Sequence, residues 1–179
     1  MIQLPSEPKT ISKTGNRAVL EISPLAPGYG MTIGNTLRRV LIASLEGAAA
    51  TSVKIKGVDH EFSAIPGISE DVIEIILNLK KIRFRLYKNE PVTLTLSSKG
   101  EGEVTAGDIK TTSDVEVINK DQHIVTISDK KTVFEMELTV ENGVGYVPVE
   151  QRQKEKLSIG EIAIDGIFTP IKNVNFTVE

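Results

Sequence analysis

The chain has 179 residues, 40% hydrophobic and 25% charged, with a formal net charge of −3. That is enough for one substantial domain or two small ones, and the acidic balance argues against a dedicated nucleic-acid binder, which carries a basic excess. With no cysteine, disulfides, thiolate metal sites and cysteine nucleophiles are excluded, in agreement with a reducing cytosol.

Aromatic residues make up only 4%, too few for a platform that stacks single-stranded bases. No apolar run approaches the ~18 residues of a spanning helix, and residues 1–13 lack the apolar core of a signal peptide. In chain order, residues 1–16 carry Pro5 and Pro8 and read as a loose arm with an edge strand near its end. Residues 17–22 (RAVLEI) alternate as a strand does, and Pro24 and Pro27 end it.

Residues 28–46 (GYGMTIGNTLRRVLIASLE) open on glycines and continue at helical spacing. Thr32 is the expected N-cap and Gly47 the expected left-handed C-cap residue. Ile33, Leu37, Val40, Leu41 and Ser44 share one face. Asn35, Arg39, Ala43 and Glu46 share a second, and Arg38, Ile42 and Leu45 a third. Two adjacent arginines are unusual in such an apolar helix, because an unpaired guanidinium is expensive to bury. Either both reach solvent along their stems or one of them docks a partner.

Residues 48–55 resume β-type spacing, and Gly57 turns the chain. Residues 60–67 form a loop punctuated by Pro66 and Gly67. His60 lies beside Glu61, but the only other histidine is His123, so a structural or contact role outweighs metal chemistry. Phe62 is either an interface anchor or a staple under the next helix. That helix is capped by Ser69, with Glu70 and Asp71 at its positive end and Lys80 and Lys81 at its negative end. Val72, Ile73, Ile76, Leu77 and Lys80 define its expected inner face, and Glu74 and Asn78 its wet side.

From Ile82 the period becomes two. Phe84 and Leu86 form one run and Val92, Leu94 and Leu96 another, separated by Asn89, Glu90 and Pro91 as in a hairpin. Residues 123–128 and 133–140 predict two further strands, and residues 141–143 (ENG) a turn. Tyr146 to Pro148 reads as an exposed β segment and residues 151–156 as a solvated polar loop. Ile159, Ile162 and Ile164 suggest another strand, and alternation resumes through residues 167–170 and 174–178.

No phosphate-binding Gly-rich loop, nucleophile elbow or metal-ligand spacing is present. Gly28 and Gly30 precede a helix whose N-terminus could hold an anion, but the rest of a dinucleotide fingerprint is missing. No catalytic residue is nominated.

Residues 28–46, together with 57–63 (GVDHEFS), 70–80 (EDVIEIILNLK) and 143–148 (GVGYVP), resemble the N-terminal domain of the bacterial-type RNA polymerase α subunit. The motifs agree in order and span nearly the whole chain. The resemblance implies an α+β fold in two parts: a dimerisation and assembly subdomain of helix plus strands, built from residues 1–52 and resuming at 173–179, and a β-rich α/β insertion over 53–172. It implies a non-catalytic scaffold in the cytoplasm, of bacterial or plastid-type polymerase, without a cofactor or metal. It would dimerise in the complete protein, assemble the β and β′ subunits and meet DNA only indirectly, with no membrane contact. Arg39, with Arg38 and Asn35, matches the position that docks β. His60, Glu61, Phe62 and Ser63 match a second part of that surface, and Lys80 matches a contact to β′. Ile33, Leu37, Val40, Leu41 and Ser44 match the dimerisation helix.

The family's domain continues past the position of Glu179 with more strand and a second dimerisation helix. The expectation is therefore a truncated chain whose first part is loosened and whose helical stripe is partly uncovered. The alternative is a free-standing β-rich protein-binding module on the same scaffold.

Overall fold

The computed structural model describes residues 5–152 and 158–179. The chain separates into two compact units, Met1–Leu41 with Asn173–Glu179, and Ile42–Lys172.

The first unit opens with an antiparallel ribbon of β1 (Lys9–Thr14) and β2 (Arg17–Glu21) turned at Gly15, whose φ is +54°. Every residue of both strands is exposed, including Ile11 and Leu20. A helix follows, α1 (Tyr29–Ala43), entered through Gly28 at φ +85°. It starts before the expected cap: Thr32 lies inside it, and its carbonyl accepts the Thr36 hydroxyl at 2.8 Å. Gly30 and Gly34 are helical, so they supply close approach rather than loop conformations. A Cβ on Gly30 would stand 2.6 Å from Val178, and one on Gly34 would strike the Phe176 ring. Residues 174–178, expected as a strand, have no regular secondary structure. They present Phe176 and Val178 to the two glycines one helical turn apart.

The second unit is built on β3 (Glu46–Ile55). Gly47 is thus a strand residue and not a helix cap. Residues 48–53 are all buried. Ala48, Ala49, Ala50, Thr51 and Ser52 are small enough for both faces to be covered, as in a central strand. β3 pairs antiparallel with β9 (Val133–Val144) along one edge. Its other edge takes β4 (Phe84–Leu86) and β11 (Glu161–Ala163). β5 (Val92–Lys99) lies outside β9 and β7 (Val115–Val117) outside β4, completing six strands. Two short ribbons are separate, β6 (Gly102–Thr105) with β8 (His123–Ile127) and β10 (Tyr146–Val147) with β12 (Gly166–Ile167). Among the described residues the other helices are α2 (Val72–Leu79), the single turn α3 (Val149–Arg152) and a 3-10 turn at Ala106–Asp108. The architecture is α+β, with few helices and a mostly antiparallel sheet.

Alternation in β5 and β9 turns Leu94, Leu96, Phe134, Met136, Leu138 and Val140 inward. They join Val72, Ile75 and Leu79 of α2 and Ile124 and Val125 of β8 in one core. Full burial of each large side chain contributes about 1.5–3 kcal/mol.

Several sequence expectations are corrected. The cap of α2 is Asp71, not Ser69: Asp71 accepts from the Glu74 amide at 2.7 Å, and Glu74 accepts from the Asp71 amide. Glu74 is therefore half of a capping box. The inner face is Val72, Ile75 and Leu79, while Ile73 and Leu77 are exposed. Asn78 donates to the Ile124 carbonyl at 3.1 Å and ties the helix to β8. β4 and β5 do not form a hairpin, because β3 and β9 lie between them. Gln151 and Arg152 belong to α3, and the rest of the expected 151–156 loop lies outside the described residues. Arg152 Nη2 donates to both carboxylate oxygens of Glu141 at 3.0 Å, and Nη1 reaches the carbonyls of Thr51 and Ile164.

Residues 141–143 do not turn; β9 runs through them. Gly143 instead gives room to Phe168, whose ring would stand 2.6 Å from a Cβ there. Gly166 offers the same ring a second bare backbone, and Phe168 is buried. We expect Gly143→Ala to destabilise the chain by about 1–3 kcal/mol through overpacking. Phe168→Ala, which empties the socket, should cost about 3–5 kcal/mol. Urea denaturation monitored by circular dichroism measures both, and unchanged midpoints would contradict the socket.

Candidate functional site

Three places carry the nominated residues. The first is α1, in which only Gly30 is buried. Ile33, Asn35 and Leu41 are half-buried, whereas Leu37 and Val40 are 40% and 48% exposed. Ser44 lies beyond the last helical residue and is exposed. Arg38 and Arg39 are both exposed, and neither makes an ion pair or side-chain hydrogen bond among the described residues. An apolar stripe and two uncommitted guanidiniums therefore share one helix. A guanidinium presents a planar fork of donors suited to a partner carboxylate.

The second place is the loop over residues 60–63, in the second unit. Gly57, at φ +82°, reverses the chain after β3, and Val58 is buried beneath the turn. The Ser63 amide donates to the His60 carbonyl at 3.2 Å, and the Ser63 hydroxyl lies 3.2 Å from His60 Nδ1. These contacts tighten the loop and leave Phe62 77% exposed. Phe62 is therefore not a staple under α2. Glu61 is exposed beside it. The loop closes where the Val72 amide donates to the Ser63 carbonyl at 3.3 Å and Ala64 bridges Asp71.

The third place is the C-terminal end of α2. Lys80 is its C-cap, and the ammonium lies 2.7 Å from Asp165 Oδ2. Both side chains are about a quarter exposed, at 23% and 24%. The Val149 amide donates to Asp165 Oδ1 at 3.0 Å. The Lys80 hydrogen bond, helped by the Val149 amide and Tyr146, holds the Asp165 carboxyl below its usual range against the opposing effect of burial. Sequence reasoning found Lys80 but not Asp165, which is 85 residues away. An Asp-Gly pair at 165–166 is a turn signal and nothing more.

Among the described residues no three His, Asp or Glu side chains are grouped to hold a metal ion. No described helix is long and apolar enough to cross a membrane.

The chain matches the family described as RNA polymerase Rpb3/RpoA insert domain over residues 53–169, and it belongs to that family. Its relatives include proteins named DNA-directed RNA polymerase subunit alpha. The one from Symbiobacterium thermophilum is 54% identical over 158 residues, 88% of this chain and 50% of the relative. The one from Roseiflexus sp. strain RS-1 is 51% identical over 171 residues, 96% of this chain and 52% of the relative. A Clostridium botulinum relative is 50% identical over 168 residues, 94% of this chain and 53% of the relative. The chain thus spans about half the length of the curated relatives it matches.

The Asp165 geometry has a measurable consequence. Asp165→Ala removes the partner of a half-buried ammonium and the acceptor of the Val149 amide, which should cost about 1–3 kcal/mol. Because the folded pKa is lowered, the stabilisation is complete above the ordinary value of 3.8 and fades as pH falls through the lower folded value. Wild type and variant compared by urea denaturation should differ at pH 6 and converge towards pH 2. A difference independent of pH would show that the carboxylate charge is not involved.

Proposed function

We propose that this chain is the N-terminal scaffold portion of an RNA polymerase α subunit, which pairs with itself and nucleates assembly of the β and β′ subunits without catalysing a reaction. The observation that carries the reading is identity of about half of all aligned positions to α subunits across nearly the whole chain. In this reading the dimerisation and assembly subdomain comprises residues 1–52 and resumes at 173–179, and residues 53–172 form the insertion. Ile33, Leu37, Val40, Leu41 and Ser44 face the second copy. Arg39, with Arg38 and Asn35, docks β, as does the loop of His60, Glu61, Phe62 and Ser63. Lys80 presents its remaining ammonium hydrogens to β′. Support comes from the uncovered stripe on α1, from its two uncommitted arginines and from the 77% exposure of Phe62. A largely exposed phenylalanine on a tightened loop suits an anchor that a partner desolvates. The alternative of a free-standing binding module gains nothing from relatives that carry the α-subunit name.

Arg39→Ala tests the reading. Loss of a charged contact buried at an interface costs about 2–5 kcal/mol, so capture of β should weaken at least ~30-fold. Arg38→Ala should weaken it less. Circular dichroism should show both variants folded, because neither side chain has a partner among the described residues. Equal capture of β by wild type and Arg39→Ala would remove Arg39 from the docking surface.

A further inference from the structure

Residues 67–70 lie along the edge of β8 that β6 does not take. The Ser128 amide donates to the Gly67 carbonyl at 2.9 Å, the Ser69 amide donates to the Thr126 carbonyl at 3.1 Å, and Ile68 bridges Ile127. Glu70 closes this seam. Its carboxylate accepts from the Thr126 amide at 2.7 Å and the Thr126 hydroxyl at 3.0 Å, and it meets His123 Nε2 at 2.8 Å. The other ring nitrogen, His123 Nδ1, lies 2.8 Å from Glu103 on β6.

A neutral imidazole has one N–H and one lone pair. It can donate to one carboxylate only, and the other would face a lone pair at 2.8 Å. Both contacts are satisfied together only by the imidazolium. We propose that His123, as an imidazolium bridging Glu103 and Glu70, is the positioning residue that holds residues 60–71 against β8 and so fixes the exposed loop at 60–63. The functional part of this statement rests on the reading of 60–63 as a docking loop. The clasp itself does not.

Of the other charged groups on the elements around the ring, those of the α2 segment and of the turn after β6 are committed elsewhere. On α2, Glu74 completes the capping box and Lys81 donates to Asn78 Oδ1. Asp108, in the turn after β6, accepts from the amide and hydroxyl of Thr105. Lys120 and Asp121 precede β8, and neither forms an ion pair among the described residues. β8 itself carries no second titratable residue.

Burial alone would lower the His123 pKa, but the hydrogen bonds that its ring donates to Glu70 and Glu103 outweigh it and raise the value above the ordinary 6.5. Burial alone would raise Glu70, but the Thr126 amide, His123, the Glu70 amide and the Thr126 hydroxyl bring it below the ordinary 4.5. The sign for histidine is that its contribution is complete below 6.5 and lost as pH rises through the raised folded value. For Glu70 the contribution is complete above 4.5 and lost as pH falls through the lowered folded value. The clasp is therefore whole from about 4.5 to 6.5, and on the alkaline side it opens as pH rises through the raised His123 value.

Nitrogen-detected NMR of the His123 ring and amide hydrogen exchange, both followed from pH 5 to 9 on this chain, test the clasp. His123 should titrate above 6.5, and the Ser69 and Thr126 amides should lose protection with the same midpoint, once intrinsic base catalysis is removed. The loss should be about tenfold for each unit separating the folded and unfolded pKa of His123. Glu103→Gln should lower the His123 midpoint, and His123→Gln should make the protection of both amides independent of pH. A His123 midpoint at or below 6.5, or wild-type protection indifferent to its titration, overturns the proposal without reference to any variant. Capture of the β subunit compared at pH 6.5 and 8.5 then examines the loop. If the clasp titrates as described while capture is unchanged, the clasp stands and the docking role of 60–63 fails.

Discussion

The second unit depends on one constraint: β3 must be covered on both faces while being paired along both edges. Small side chains meet it. Ala48 and Ala50 belong to the core that larger residues on neighbouring elements fill, while Phe168 sets its carbonyl against Gly47 and its ring against Gly143 and Gly166. The antiparallel ladder from Glu46 opposite Val144 to Ile55 opposite Met136 then fixes the register of β9, and β9 fixes β5. The two buried hydroxyls are satisfied rather than tolerated. Thr51 donates to Glu141, which Arg152 grips, and Ser52 donates to Glu161. Such a polar network is stable only when every member finds a partner.

The two units differ in how far they satisfy themselves. The second has a continuous core and a capped helix, and its partly buried ion pairs link residues distant in sequence. The first exposes both strands of its ribbon and most of its helix. A two-stranded ribbon with neither face covered is marginal by itself. The uncovered apolar residues of α1 are where an association would gain most from the hydrophobic effect. The proposed division of labour follows: a self-supporting insertion that presents a loop and an ammonium, beside a part whose helix is left for partners.

Much of this was legible in the residues. Strong alternation located β5 and β9 because their inward residues are large and their outward ones polar. The arginine pair in α1 was visible as an anomaly, and the structure leaves both guanidiniums uncommitted. The inner face of α2 was not legible for a physical reason. Ile73, Ile75, Ile76, Leu77 and Leu79 are all apolar, so periodicity cannot choose among faces. The choice is made by the core that Val72, Ile75 and Leu79 enter and by Asn78 reaching Ile124, both tertiary facts. Gly143 misled because a turn signal and a packing socket use the same residue for different reasons. Asp165, and the pairing of Glu70 and Glu103 with His123, were invisible because contacts so far apart in sequence leave no local pattern.

The two bare positions on α1 carry a consequence for how the chain reaches its native state. Gly30 meets Val178 and Gly34 meets Phe176, so the helix near one end of the sequence is sealed by residues at the other. Contacts of such separation form late, because the entropy of closing the intervening loop must first be overcome. During synthesis, α1 emerges long before Phe176 and Val178 exist, and its glycine groove stays open while the whole of the second unit is made. The nascent chain therefore passes through a stage in which the second unit can already be folded while the glycine face of α1 is still unsealed and accessible to the wrong neighbours.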